Sequence, residues 1–279
     1  MADDTDTSPD KGTALWREIT DFLRTDILDG HYQPGQALPG EAALARTYAT
    51  SRPTIRKAIA QLAGEGLLTV AHGRGTFLRP LPDRMTIAIG RPPHEDLLSP
   101  AYDPTRQGWH ISEPLREPSP GEVPTYALEP YYTPAGLDDA NLFGIRSGQH
   151  LAYRYAFWQH QRTRARVMIS SHTLLELVRT SRDDGEDVEP ADYYAHLAKV
   201  RGPVTFTTSV HSRMPYGDAI TDLAMEPIGT PLLVVRRTML DPHGHVLEVT
   251  EIEAPGDRFE AAFPNDDRPL SDDQIALRL

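Results

Sequence analysis

Three helical patterns followed by a glycine-tipped hairpin, all within residues 15–78, leave this chain few folds to choose from. Leu15, Ile19, Phe22, Leu23, Ile27 and Leu28 recur at helical spacing, and Gly30 and Pro34-Gly35 end that pattern. The stretch LPGEAALARTYA, from residue 38, then predicts a short helix starting near Gly40 and packing through Ala43, Leu44 and Tyr48. Ser51 is a good N-cap for a third helix, with Pro53 in the first turn, where its missing N–H costs nothing. That helix runs through Ile55, Ile59 and Leu62 and ends before Gly66. LLTVAHGRGTFLRP follows, two short alternating strands joined by Gly73-Arg74-Gly75.

The third helix is polarised. Ser51, Arg52, Thr54, Arg56 and Lys57 occupy its first two turns, while Ile55 and Ile59 point the other way. A helix that reads the DNA major groove needs this layout, because its N-terminal end meets base edges and phosphates. In the hairpin, two glycines flank Arg74, and an arginine on a thin tip suits a narrow minor groove. The charge distribution agrees. The chain is −12 overall, yet residues 11–79 carry nine bases against six acids and so are mildly basic, while the rest is strongly acidic.

Residues 15–78 resemble the winged helix-turn-helix domain of the GntR family of bacterial regulators. The family pattern L-P-S-E, S-R-x-T-V-R-x-A and G-x-G-T-F is met here by LPGE at 38–41, SRPTIRKA at 51–58 and HGRGTFL at 72–78. The resemblance implies DNA contacts at Arg52, Thr54, Arg56 and Lys57 in the helix, and at His72, Gly73 and Arg74 in the wing. Two departures stand out. Gly40 replaces the usual capping serine, and Ala42 stands where many relatives carry an arginine on the DNA backbone.

The chain is long enough for two domains. A module at 11–79, a proline-rich linker at 80–100, a second domain at 101–265 and an acidic tail at 266–279 are expected. Strand-like segments dominate after the linker: YALEPYY, HLAYRYAFWQ, ARVMISSHTLL, VTFTTSVHS, PLLVVRRTML and VLEVTEIEA. Helical stretches near 174–178, 191–200 and 218–225 interrupt them, and DPHG at 241–244 marks a hairpin turn. This order predicts an α+β domain on an antiparallel sheet. The segments around RMP at 213–215 and GTPLLVVRRTMLDPHGHVLEVTEIEAPGDRF at 229–259 resemble the UTRA domain of the HutC-type subgroup. That likeness implies a chorismate-lyase-like effector domain.

Sugar-phosphate sensors of that subgroup carry an Arg-x-Arg pair on the strand occupied here by YRYAFWQ; Ala156 and Trp158 align with it, and the usual glutamate of the next strand falls near Ser170 or Ser171. Losing paired arginines argues against a phosphorylated effector, since phosphate is held by bidentate, charge-assisted bonds. The candidate effector contacts are Tyr153, Arg154, Tyr155, Trp158, His172, Arg213 and Glu248, a lining suited to a flatter, weakly charged ligand.

Other classes are set aside. No cysteine is present, so thiol chemistry and cysteine-ligated metals are excluded. No nucleophile elbow or metal-ligand spacing appears, and neither catalytic residues nor a cofactor is expected. There is no apolar run long enough to span a membrane, and the acidic start, MADDTDTSPD, is unlike a signal peptide. A cytoplasmic homodimer bound to an inverted-repeat DNA operator, with a small-molecule effector, is the expectation. The alternative is a ligand-independent, partition-like DNA-binding protein whose second domain only dimerises.

Overall fold

A computed structural model describes residues 11–80, 84–89, 105, 108–116, 131–178, 193–225, 229–263 and 277–278. Expectations for residues 1–10, 126–130 and 264–276, and for most of 90–107, lie outside these. The chain divides near residue 82 into two compact units.

The first unit comprises α1 (Lys11–Leu28), α2 (Glu41–Thr47), α3 (Arg52–Gly64) and the hairpin of β1 (Leu68–Ala71) with β2 (Gly75–Leu78). Its core joins Ile19, Leu23 and Ile27 of α1 to Leu44 and Ala45 of α2 and to Ile55, Ala58, Ile59 and Leu62 of α3. The buried stripe of α1 is narrower than its sequence pattern predicts: Phe22 is 62% and Leu28 69% exposed. Spacing of four selects Ile19, Leu23 and Ile27, and their apolar neighbours fall outside the contact face. An ion pair fixes the far end of α3 to α1, with Arg24 donating to both Glu65 carboxylate oxygens at 2.8 and 2.7 Å. Between α2 and α3 the chain turns through Ala49 at φ 49°, a left-handed conformation that a Cβ tolerates poorly.

The second unit is built on a seven-stranded antiparallel sheet. β4 (Trp109–Ser112), β6 (His150–His160), β7 (Arg166–Leu174), β10 (Val246–Pro255), β9 (Leu232–Leu240) and β8 (Thr205–Arg213) lie side by side in that order, and β5 (Tyr131–Pro134) also pairs with β6. Five of the six strands expected from the alternating pattern form, and of the sixth, YALEPYY, only Tyr131-Tyr132 is among the described residues, in β5. The sheet has two faces, fixed by the two-residue period of a strand. One face is covered by a small sheet of β11 (Phe259–Ala262), β3 (Met85–Ala88) and β12 (Leu277–Arg278), paired in parallel, and by α5 (Tyr193–Arg201). The other is covered by α4 (Leu137–Phe143) and α6 (Ala219–Asp222). α6 is tied down by Asp222, whose carboxylate accepts from the Leu115 and Arg116 backbone and from Arg116 Nε at 3.0 Å. The buried Arg166 guanidinium donates to the Asp222 carbonyl.

Two boundaries differ from expectation. Residues 80–100 are not all linker: Met85–Ala88 is fully buried, and Met85 and Ile87 pack with Trp109, Trp158 and Phe259. Nor is 266–279 all tail, because Leu277–Arg278 pairs with Ile87–Ala88. Both pieces are too short to carry a legible period, and only pairing distant in sequence makes them strands.

Candidate nucleic-acid interface and effector face

α3 begins where its sequence says it should. The Ser51 side chain accepts from the Thr54 backbone N–H at 3.4 Å, and the two hydroxyls lie 2.8 Å apart, so Thr54 is engaged in the cap. Arg52, Arg56 and Lys57 are exposed on the first two turns, while Ile55, Ala58, Ile59 and Leu62 on the opposite side are at most 4% exposed. Arg56 is held across the turn by Glu41 of α2, with Nε and Nη2 donating to its two oxygens at 3.0 and 2.7 Å. That pair draws the Glu41 carboxyl below the usual carboxylate range and orients the guanidinium without burying it, for Arg56 stays 68% exposed. Gly40 starts α2 with no side-chain cap.

The wing closes as a three-residue loop. Ala71 pairs with Gly75, and the Arg74 N–H donates to the Ala71 carbonyl at 2.9 Å. Gly73 at φ 72° and Gly75 at φ 127° occupy backbone conformations that side chains disfavour. His72, Gly73 and Arg74 are exposed at the tip.

In the second unit the seven candidate effector contacts do not share one surface. Arg154 and Trp158 of β6 and Glu248 of β10 lie on the face covered by α5 and the small sheet. Tyr153 and Tyr155 of β6, His172 of β7 and Arg213 of β8 lie on the opposite face. The period of the strand lets only half of the β6 aromatics face any one pocket, and here it sets Tyr153 and Tyr155 on the face opposite Trp158. Trp158, 1% exposed, is packed with Ala156, Val167 and Ile169 in an apolar core. Tyr153 stacks on Tyr155, and Tyr131 and Phe157 meet this pair edge-on, ring centroids 5.2 to 6.2 Å apart. Burial raises the Tyr153 phenol. Burial also lowers the His172 imidazole despite Asp139 at 3.5 Å. Arg213 donates to Glu253 at 2.6 Å and its guanidinium sits 4.3 Å from the Tyr216 ring centroid.

The face bearing Arg154 and Glu248 carries a polar row that sequence reading largely missed. Arg154, Ser171, Thr250 and Arg237 stand directly opposite one another across β6, β7, β10 and β9, and Ser171, Thr250 and Arg237 are each at most 3% exposed. Glu248, 1% exposed, accepts from Arg154 Nη2 at 3.1 Å and from the Ser171 hydroxyl. Arg237 Nη2 donates to the Tyr194 hydroxyl of α5 at 2.8 Å, its guanidinium lying 5.6 and 5.3 Å from the Tyr194 and Phe206 ring centroids. The row separates two apolar clusters of the same face, one under the small sheet and one under α5. Burying cations and a carboxylate there is costly unless they are paired. The signal for Arg237 was present in the sequence: an arginine in period with Val235 and Met239 on a central strand.

No group of three or more metal-ligating side chains forms among the described residues, and no described helix is long and apolar enough to cross a membrane.

A helix-turn-helix with an exposed basic helix start and a glycine wing, followed by an α+β sheet domain, defines a two-domain DNA-binding regulator. Residues 15–78 match the model of the gntR family of bacterial regulatory proteins. An uncharacterized HTH-type transcriptional regulator of Rhizobium meliloti (strain 1021) is 42% identical over 252 residues, covering 87% of this chain and 86% of that protein. The chain belongs to the gntR family of bacterial transcriptional regulators. The mannosyl-D-glycerate transport/metabolism system repressor of Escherichia coli (strain K12) is 40% identical over 65 residues, 23% of this chain and 27% of that one. The crystal structure of a putative GntR-family transcriptional regulator superposes with a TM-score of 0.60 at 20% identity, covering 91% of this chain and 98% of that one, and shares its fold.

Proposed function

We propose that this regulator is a cytoplasmic, homodimeric repressor of the HutC-type subgroup, whose UTRA-type second domain releases a palindromic operator when it binds a small organic effector that is not a sugar phosphate. The DNA-binding part rests on one observation: α3 exposes Arg52, Arg56 and Lys57 along its first two turns while burying its other side. Thr54, His72, Gly73 and Arg74 complete the proposed contact surface, and the module spans residues 11–79. Repression is favoured because relatives sharing this N-terminal region include repressors, among them one of the mannosyl-D-glycerate system.

The proposed effector contacts are Arg154, Glu248, Ser171 and Arg237. Such a cluster holds oriented donors and acceptors inside an otherwise apolar domain, as a selective small-molecule site does. The exclusion of sugar phosphates rests on charge. On β6 the positions after Arg154 on the same face are Ala156 and Trp158, both inside an apolar core, and Arg154 itself is met by Glu248. Arg237 lies three strands away, about 14 Å by strand spacing. A dianion finds no paired cations there to offset its desolvation. A monoanion or neutral ligand carrying hydrogen-bond donors for Glu248 fits better.

The test is a selection of bound DNA fragments, followed by thermal-shift and operator-release titrations. A weakly charged cyclic or aromatic metabolite is expected to raise the unfolding temperature and weaken operator binding, and glucosamine 6-phosphate to do neither. Release by the phosphate at micromolar concentration would overturn the effector reading.

A further inference from the structure

We infer that β8 is the dimer contact, pairing antiparallel with β8 of a second copy about a two-fold axis at Ser209, so that two sheets join into one. This deepens the homodimer reading and rests on it. β8 is the terminal strand of the seven-stranded sheet. It pairs with β9 over nine consecutive residues without a bulge, and seven of its nine residues are exposed. Among the described residues no strand pairs with its outer edge, which therefore offers a long row of backbone donors and acceptors. Proteins that keep such an edge single protect it with lysine, proline, a bulge or an inward-pointing charge. The sequence TFTTSVHSR contains none of the first three, and its one full charge, Arg213, is paired with Glu253 at 2.6 Å. Five of its nine residues, Thr205, Phe206, Thr207, Thr208 and Val210, have high β-propensity.

The strand is also self-complementary. With the axis at Ser209, Thr208 faces Val210 of the other copy, Thr207 faces His211, Phe206 faces Ser212 and Thr205 faces Arg213. No like charges meet, and the contact is isologous, as a closed two-fold dimer requires. The same register resolves exposed apolar surface at both strand ends. Met214 and Tyr216 are 61% and 72% exposed just past one end, and Val200 is 47% exposed just before the other. Residues 202–204 and 214–216 lie outside the strand, so no pairs are set beyond Thr205 and Arg213, but the register brings the Met214–Tyr216 end of one copy beside the Val200 end of the other.

The chain has no cysteine, which makes single-cysteine cross-linking a clean test. Ser209 residues facing across the axis have Cα atoms about 4.5–5.5 Å apart, within disulfide reach. Two Ser212 residues lie roughly 20 Å apart along the strands. Under mild oxidation, full-length Ser209→Cys is expected to become a covalent species of twice 31.0 kDa while Ser212→Cys stays single. Thr208→Glu with Val210→Glu, which opposes acids at two pairs, is expected to weaken the dimer about tenfold or more in sedimentation. A wild-type dimer in which neither cysteine, or both equally, cross-links would overturn the β8 contact and leave the homodimer reading standing. A wild-type monomer, both free and on operator DNA, would overturn both.

Discussion

Arginine serves opposite ends in the two units. On α3 of the first unit, Arg52 and Arg56 stand in solvent, and Arg56 is steered by Glu41 while keeping most of its surface exposed. In the sheet of the second unit, Arg166 and Arg237 are 2% exposed and are held by carbonyls or a tyrosine hydroxyl, and Arg154 is tucked against Glu248. The exposed set keeps its charge open to solvent, while the buried set is fixed in place by its partners; in the proposed function the first meets DNA, and Arg154 and Arg237 meet the effector. Contacts with DNA phosphates are reached through water and screened by salt, but a buried cation is worth several kcal/mol to whatever pairs with it, and costs as much when left alone. In the proposed function one residue type thus supplies a long-range attraction in one unit and a short-range filter in the other.

The comparison can be broken most severely at Trp158. As a core residue of the sheet unit, Trp158→Ala is expected to cost about 3–5 kcal/mol of stability in denaturant unfolding. Phe22→Ala on the exposed side of α1 should stay within about 0.5 kcal/mol. A small Trp158 effect combined with a lost effector response would return that side chain to the ligand site.

Arg52→Ala should do the reverse. Unfolding stays unchanged, while specific DNA binding weakens by about 1–3 kcal/mol and preference relaxes at one base position. Equal weakening on specific and random DNA would assign Arg52 to phosphate, and no loss on either would remove it from the interface.

Acid should touch the sheet unit before the helical one. Burial lowers the pKa of His172, opposed by Asp139 and Glu251 and reinforced by Arg236, and burial likewise lowers His160. A lowered histidine pKa means the folded state favours the neutral ring. Its stabilisation is complete above the ordinary value of 6.5 and is lost as pH falls through the lowered value. The unfolding temperature is expected to drop between pH 7 and pH 5, and less steeply in His172→Gln; an equal slope in that variant would clear His172 of the effect.

The smallest effect belongs to α2. Gly40→Ser restores a capping side chain and should add a few tenths of a kcal/mol by thermal unfolding, with DNA affinity unchanged. A destabilised variant would mean that a side chain at position 40 is obstructed.

The two units also differed in how legible they were. The helix starts, the Ser51 cap, the wing and the basic end of α3 are local, each set by residues within a few positions of one another, and the pattern showed them. The long strands showed themselves by alternation. Which side chains meet across the sheet did not, because one residue of register exchanges the faces. Alternation separates Tyr153 from Trp158 but does not say which face carries a ligand, nor that Arg237 stands in line with Arg154; and Met85–Ala88, four residues whose partners lie at 259–262 and 277–278, reads as linker.

The most direct test of the DNA-reading role assigned to α3 and the wing is the affinity of the full-length chain for its selected inverted repeat and for a shuffled duplex, measured at one salt concentration. The expected result is a preference of about a thousandfold or more for the inverted repeat, with two protomers bound. Equal affinity for the two duplexes, or no binding to either, would contradict it.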